Sequence, residues 1–216
     1  MSRACEKEAI GTLVADGQPV VRHGLRHGFE ATGRIRVLAE ADDGESAWRA
    51  YRKVRPDVVV LDIQLPGVSG LETIRRIRRY DPDARILVFS EHENAGFVKR
   101  ARKAGANGYF TKDRTLETVI EGVLRLGSAE GRETAWVASE DPGRRRSGQR
   151  LDLLTQREFE VFGLLARGHS TAEVAARLNI SINTVGVHKT RIMHKLGVSN
   201  GSQLTLFAIR HGVIKA

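Results

Sequence analysis

The 216-residue sequence is short of several things, and each shortage excludes something. It has one cysteine, Cys5, so an intrachain disulfide cannot form and a cysteine-built zinc site has too few ligands. Cys5 is read as a free thiol near the terminus. No stretch approaches the roughly eighteen uninterrupted apolar residues of a membrane span, and MSRACEKEAI lacks the apolar centre of a secretory leader. These shortages lead to the expectation of a cytoplasmic protein without a membrane segment. No internal repeat is present. Acidic residues are outnumbered, 26 against 35 basic, which leaves a net charge of +9 and suits a polyanionic partner without identifying one.

Two patterns succeed each other along the chain. From Ile10 to about Gly127, short apolar runs alternate with segments of helical periodicity, as in a parallel sheet covered by helices. Strands are expected at 10–15, 35–39, 58–61, 86–89 and 109–110, with helices beginning near Pro19, Glu45, Leu71, Asn94 and Thr115. The third run, VVVL, is apolar at every position and reads as an inner strand buried on both faces. An α/β, doubly wound, five-stranded domain over 9–127 follows. Residues 128–150 lose the periodicity, collect Gly, Ser, Pro and an Arg triplet, and read as a linker. Trp136 is its one apolar anchor, either docked on a domain or partly exposed.

The remainder, 151–216, reads as an all-α domain with its own helix boundaries. TQRE and STAE each place a hydroxyl three residues before a glutamate, so helices can open with capping boxes at Thr155 and Ser170. Gly168 can close the first of these, Ser181 can cap a third helix that Gly197 ends, and Asn200 can cap a fourth. Asn179 tolerates the left-handed turn conformation between the second and third helices. Val174, Leu178, Val185 and Ile192 are expected to face the core, with small Ala175 and Ala176 letting the helices approach. A helix-turn-helix results. Its second helix offers Asn183 and Thr184 to phosphates or base edges, Val187 to a thymine methyl, and Lys189, Arg191 and Lys195 to phosphates, with His188 beside them.

In an open parallel sheet, function collects at the carboxyl ends of the strands. Asp16, Asp62, Ser90 and Lys112 stand at four of those ends. Two carboxylates, a hydroxyl and an ammonium in one cleft suit a phosphoryl group transferred to Asp62. A phosphatase or mutase of the haloacid dehalogenase type would need a second carboxylate two residues after the nucleophile, and Gln64 stands there. An amide cannot exchange a proton at neutral pH, so turnover is not expected. The GANG at 105–108 reads as a helix-to-strand turn and not as a nucleotide loop.

The motifs LDLLTQREFEVFGLLARGHSTAEVA and ISINTVGVHKTRIMHKLGVSN closely resemble the LuxR-type DNA-binding domain. LDIQLPGVSGLE, FSEHEN and GANGYFTKD resemble the receiver domain, and together the two halves resemble response regulators of the NarL/FixJ class. The resemblance implies a flavodoxin-like strand order 2-1-3-4-5 and a C-terminal four-helix domain. It further implies phospho-acceptor Asp62, a phosphate pocket and switch of Ser90, Tyr109 and Lys112, and magnesium held by the acidic pocket with no organic cofactor. The implied partners are double-stranded DNA, a second copy of the chain meeting it through Leu204 and Ala208, and a sensor histidine kinase.

Two departures qualify these implications. Relatives end the first strand with two acidic residues, often followed by His-Pro, and this chain reads ADGQP. Asp16 keeps the first acid, Gly17 replaces the second, and Gln18 replaces the histidine. The second acid is a direct magnesium ligand in the family, so the expectation is a receiver that takes phosphate poorly or not at all. The alternative is an ordinary phospho-switch with reduced magnesium affinity. Glu40, Asp42 and Asp43 could lend the missing carboxylate if their loop folds inward. In the reading helix, Gly186 stands where many relatives carry lysine. Lys189 or Lys195 can compensate; a vestigial DNA-binding domain on an interaction module is the competing view.

Overall fold

The computed structural model describes residues 9–92, 95–128 and 150–214. Cys5, Trp136 and most of the expected linker lie outside the described residues. The described residues pack as two compact units, 9–91 with 101–128, and 92 and 95–100 with 150–214.

In the first unit, strands β1 (Ile10–Ala15), β2 (Ile35–Ala41), β3 (Val58–Leu61), β4 (Ile86–Ser90) and β5 (Gly108–Thr111) form one sheet in the order β2-β1-β3-β4-β5. Every pairing is parallel. All four residues of β3 are buried, as its unbroken apolar run requires. Between and after the strands run α1 (Pro19–Ala31), α2 (Gly44–Val54), α3 (Gly70–Tyr80) and α5 (Leu116–Gly127), while α4 (Ala95–Ala104) has residues 95–100 in the second unit and 101–104 in the first. Leu25 and Phe29 of α1 and Val119, Val123 and Leu126 of α5 share a core with Val14, Val60 and Phe110 of the sheet. Helices α2 and α3 pack on each other and bury Ala47, Tyr51, Ile74 and Ile77. A Cβ built on Gly70 would lie 2.1 Å from the carbonyl oxygen of Asp62, so only glycine lets α3 start directly against the end of β3.

The second unit carries α6 (Gln156–Ala166), α7 (Thr171–Leu178), α8 (Ile182–Leu196) and α9 (Gly201–Arg210). Both capping boxes form, Thr155 with Glu158 and Ser170 with Glu173. Ser181 and Asn200 cap α8 and α9, while Asn179 and Gly197 take the left-handed conformation that ends α7 and α8. Val174, Val185, Ile192, Leu196, Leu204 and Ala208 are buried. Leu178, expected in this core, is only half-buried, and of the two small residues Ala175 is buried and Ala176 exposed. The short α7 turns a narrower face inward than its apolar spacing suggested.

Candidate functional site: a strand-end pocket and an exposed helix

The parallel strands deliver Asp16, Asp62 and Lys112 to one point. Lys112 Nζ donates to Asp16 Oδ2 at 2.7 Å and to Asp62 Oδ2 at 2.8 Å, so one ammonium bridges two buried carboxylates. Each acid is held on its other oxygen by a backbone N–H two residues ahead: Gln18 donates to Asp16 Oδ1 at 2.8 Å and Gln64 to Asp62 Oδ1 at 3.0 Å. Burial pushes the Asp16 carboxyl above the usual aspartate range, against the lowering effect of Lys112 and the Gln18 N–H. Burial works to lower the Lys112 ammonium, but the charge of Asp62 and the bonds to both acids outweigh it and hold the pKa up. The cleft therefore contains a protonated lysine held between the two acids.

Ser90 and Tyr109 are fully buried beside this cleft. Burial pushes the Tyr109 phenol well above its ordinary value; the nearby Ser90 side chain offsets part of the rise and the Asp62 charge adds to it. Ser90 Oγ makes no hydrogen bond of ordinary geometry among the described residues. The hydroxyl and the aromatic thus lie together at the inner edge of the pocket.

Magnesium demands hard oxygen ligands in near-octahedral order. Gly17 supplies no carboxylate, and Glu40 and Asp43 of the acidic run after it are committed elsewhere. Glu40 is paired with Arg22 and Arg26. Asp43 caps α2 by accepting from the Ser46 N–H, and Asp42 accepts from the Ser46 hydroxyl at 3.4 Å. The inward fold of this loop, considered above as a source of a third ligand, does not occur. Among the described residues no three His, Cys, Asp or Glu side chains come together as a metal cage. The residues present do not fit a three-acid magnesium site.

Arg22 was not foreseen. Its guanidinium donates to the Asp16 carbonyl at 2.7 Å and pairs with Glu40, tying the end of β1 to β2. Its signal in the sequence is weak: an arginine on the first turns of α1, with its acid on the neighbouring strand. Gln18 lies at the rim and donates through Nε2 to Glu91 at 2.9 Å.

On α8, Asn183, Thr184, Val187, Thr190 and Arg191 are exposed, while His188 and Lys189 are half-buried. His188 Nδ1 is buried without a hydrogen-bond partner among the described residues. Lys195, expected on DNA phosphates, has a partner within its own domain. Its ammonium donates to Glu158 Oε2 at 2.6 Å, and Glu158 is 2% exposed and also accepts from the Thr155 N–H at 2.7 Å. Burial alone would raise the Glu158 carboxyl, but Lys195 and Thr155 outweigh it and hold it below the usual glutamate range.

Leu204 and Ala208, the expected dimer contact, are 1% and 0% exposed, packed within their own unit. The apolar residue that α9 exposes is Leu206, at 46%, with Arg210 exposed one turn on.

Comparison with known proteins matches both halves. The model of the response regulator receiver domain matches residues 12–123, and that of the luxR family of bacterial regulatory proteins matches residues 152–208. The transcriptional activator protein ExaE of Pseudomonas putida is 38% identical over 211 residues, covering 95% of this chain and 99% of ExaE. The probable transcriptional regulatory protein NarL of Mycobacterium tuberculosis is 32% identical over 215 residues, covering 97% and 98%. Among solved structures, RcsB from Salmonella enterica serovar Typhimurium, bound to promoter P1flhDC in the presence of phosphomimetic BeF3-, is 25% identical with a TM-score of 0.67, covering 93% and 98%.

Proposed function

The chain belongs to the LuxR family of response regulators, joining a receiver domain to a DNA-binding domain, and from that premise we propose that it regulates transcription with little dependence on phosphorylation of Asp62. One observation carries this reading: Gly17 stands beside Asp16 where a magnesium-binding carboxylate is expected, and no neighbouring acid takes its place. Without a divalent cation, Lys112 is the cation facing Asp62, and a phosphoryl group arriving there meets two acids and one ammonium. The negative charge of the transition state is then poorly offset.

Double-stranded DNA is the partner, read by Asn183, Thr184 and Val187 and held through its phosphates by Lys189 and Arg191. A homodimer on DNA would meet through the exposed Leu206 and Arg210 face of α9. The protein works in the cytoplasm as a binding protein and not as an enzyme, because Gln64 presents Asp62 with a backbone N–H and supplies no general acid.

A second reading has support in the same pocket. Asp62, Ser90, Tyr109 and Lys112 are all present and adjacent, which suits an ordinary phospho-switch served by a sensor histidine kinase. The experiment that separates the two is promoter binding by Asp62→Ala. The proposal expects the variant to retain most wild-type affinity; a loss of tenfold or more, reproduced only by unphosphorylated wild type, favours the second reading.

A further inference from the structure

The exposed face of α8 has an unusual distribution of chemistry. At about 100° per residue, Asn183, Val187, Thr190 and His194 form the middle of the arc opposite buried Val185 and Ile192, with Gly186 and Arg191 about equally far to either side. Thr184 lies beyond Arg191 on one margin, and Ile182 and half-buried Lys189 lie beyond Gly186 on the other. No arginine, lysine or carboxylate stands in the middle.

Each central position has a definite surface. The Asn183 amide makes no hydrogen bond among the described residues, so its carbonyl and NH2 both face outward uncommitted. Val187 is 51% exposed despite being apolar. The Thr190 hydroxyl donates to the Gly186 carbonyl at 3.1 Å, which leaves its methyl as the outward group. A Cβ built on Gly186 would meet nothing within 4 Å, so the backbone there is bare and can approach a groove closely.

Base edges in the major groove select among side chains. Guanine is read best by Arg or Lys, cytosine by Asp or Glu, adenine by Asn or Gln, and the thymine methyl by apolar contact. Over its first two and a half turns the middle of α8 offers an amide and two methyl-bearing side chains, with no Arg, Lys, Asp or Glu among them; His194 follows one turn further on. We infer that the half-site read by α8 is centred on A·T pairs, with Asn183 pairing to adenine, Val187 and Thr190 packing on thymine methyls, and Arg191 and Lys189 confined to phosphates. This rests on the DNA-binding reading above and adds the class of sequence bound.

The test uses the full chain. Duplexes are selected from a random pool at fixed salt, and thymine is then replaced by uracil at each enriched position, which removes only the C5 methyl. The expected result is A·T enrichment at the centre of each half-site and a loss of about three- to fivefold for each critical methyl, the worth of one buried methyl group. Val187→Ala should abolish the sensitivity at one of those positions, and Asn183→Ala should relax adenine preference by at least about fivefold. Half-sites centred on G·C, or indifference to uracil, would overturn the inference while leaving DNA binding intact. Failure to select any duplex even at low salt would instead defeat the DNA-binding reading itself.

Discussion

Two glycines stand where a charged side chain is expected, and their surroundings differ. Beside Gly17, an added Cβ would lie 3.4 Å from Pro66 and 3.8 Å from the Asp42 carbonyl, inside the mouth of a pocket whose acids are already bridged by a lysine. Beside Gly186 there is only open space. In the pocket, a missing carboxylate removes one member of a ligand set that must act together, so the loss falls on whether a cation is held at all. On the open helix, a missing cation removes one screened attraction among several, and the bared surface changes which sequence is preferred. The same deletion of charge thus affects capacity at one site and selectivity at the other.

The comparison can be tested first by restoring the pocket acid. Gly17→Asp fits without a clash, since its Cβ contacts are of ordinary van der Waals length. It should raise magnesium affinity by about 10- to 100-fold, the usual effect of a metal-site carboxylate and its support. An isothermal titration giving equal affinity for both proteins would end the claim that Gly17 limits the pocket.

Restoring the helix cation should do less. Gly186→Lys has room for its side chain, should stabilise α8 by about 1 kcal/mol through helix propensity, and should steepen the salt dependence of DNA binding by about one unit. Anisotropy titrations over a range of salt read the slope. An unchanged slope would show that position 186 does not face the nucleic acid.

A control sharpens the contrast between free and committed cations. Lys195→Met should leave the salt slope unchanged and cost about 1–2 kcal/mol in urea unfolding, because it strands Glu158 while the lysine itself is 31% exposed and partly screened. A slope flatter by one unit would return Lys195 to the phosphate contacts.

The smallest effect is on pH dependence, and it has opposite signs in the two units. The Glu158 carboxyl is depressed in the folded state, so its stabilising contribution is present above the ordinary glutamate value and is lost as pH falls through the folded value beneath it. Asp16 is raised, so its contribution is present below the ordinary aspartate value and is lost as pH rises through the folded one. Amide hydrogen exchange during acidification should show protection weakening around α6 and α8 before it weakens around β1. Parallel loss in both regions would contradict these assignments.

Much of this was legible in the sequence where the chemistry is local. VVVL, buried at every position, identified the inner strand, and the hydroxyl-to-glutamate spacings at Thr155 and Ser170 located two helix starts. Strand ends were read short because ladders continue past the apolar run: β2 reaches Ala41, β4 reaches Ser90, and β5 takes in Gly108 and Thr111. Asp16, Asp62 and Lys112 could be brought together because parallel topology fixes where strand ends meet. Pairings distant in sequence were not legible. Glu158 serves both its own helix cap and Lys195, 37 residues on, and periodicity shows that α9 has an apolar side without saying that Leu204 and Ala208 are covered while Leu206 is not. The acidic run offered three carboxylates, but only the fold shows that Arg22 and Arg26 had taken Glu40 and the α2 cap had taken Asp43.

The central claim is tested most directly by the time course of phosphoryl transfer from acetyl phosphate to the wild-type chain at saturating magnesium, with promoter affinity measured on the same samples. Slow, substoichiometric labelling with unchanged DNA affinity is the predicted result. Rapid, stoichiometric, magnesium-dependent labelling with a matching gain in affinity would contradict the account and make Asp62 an ordinary switch.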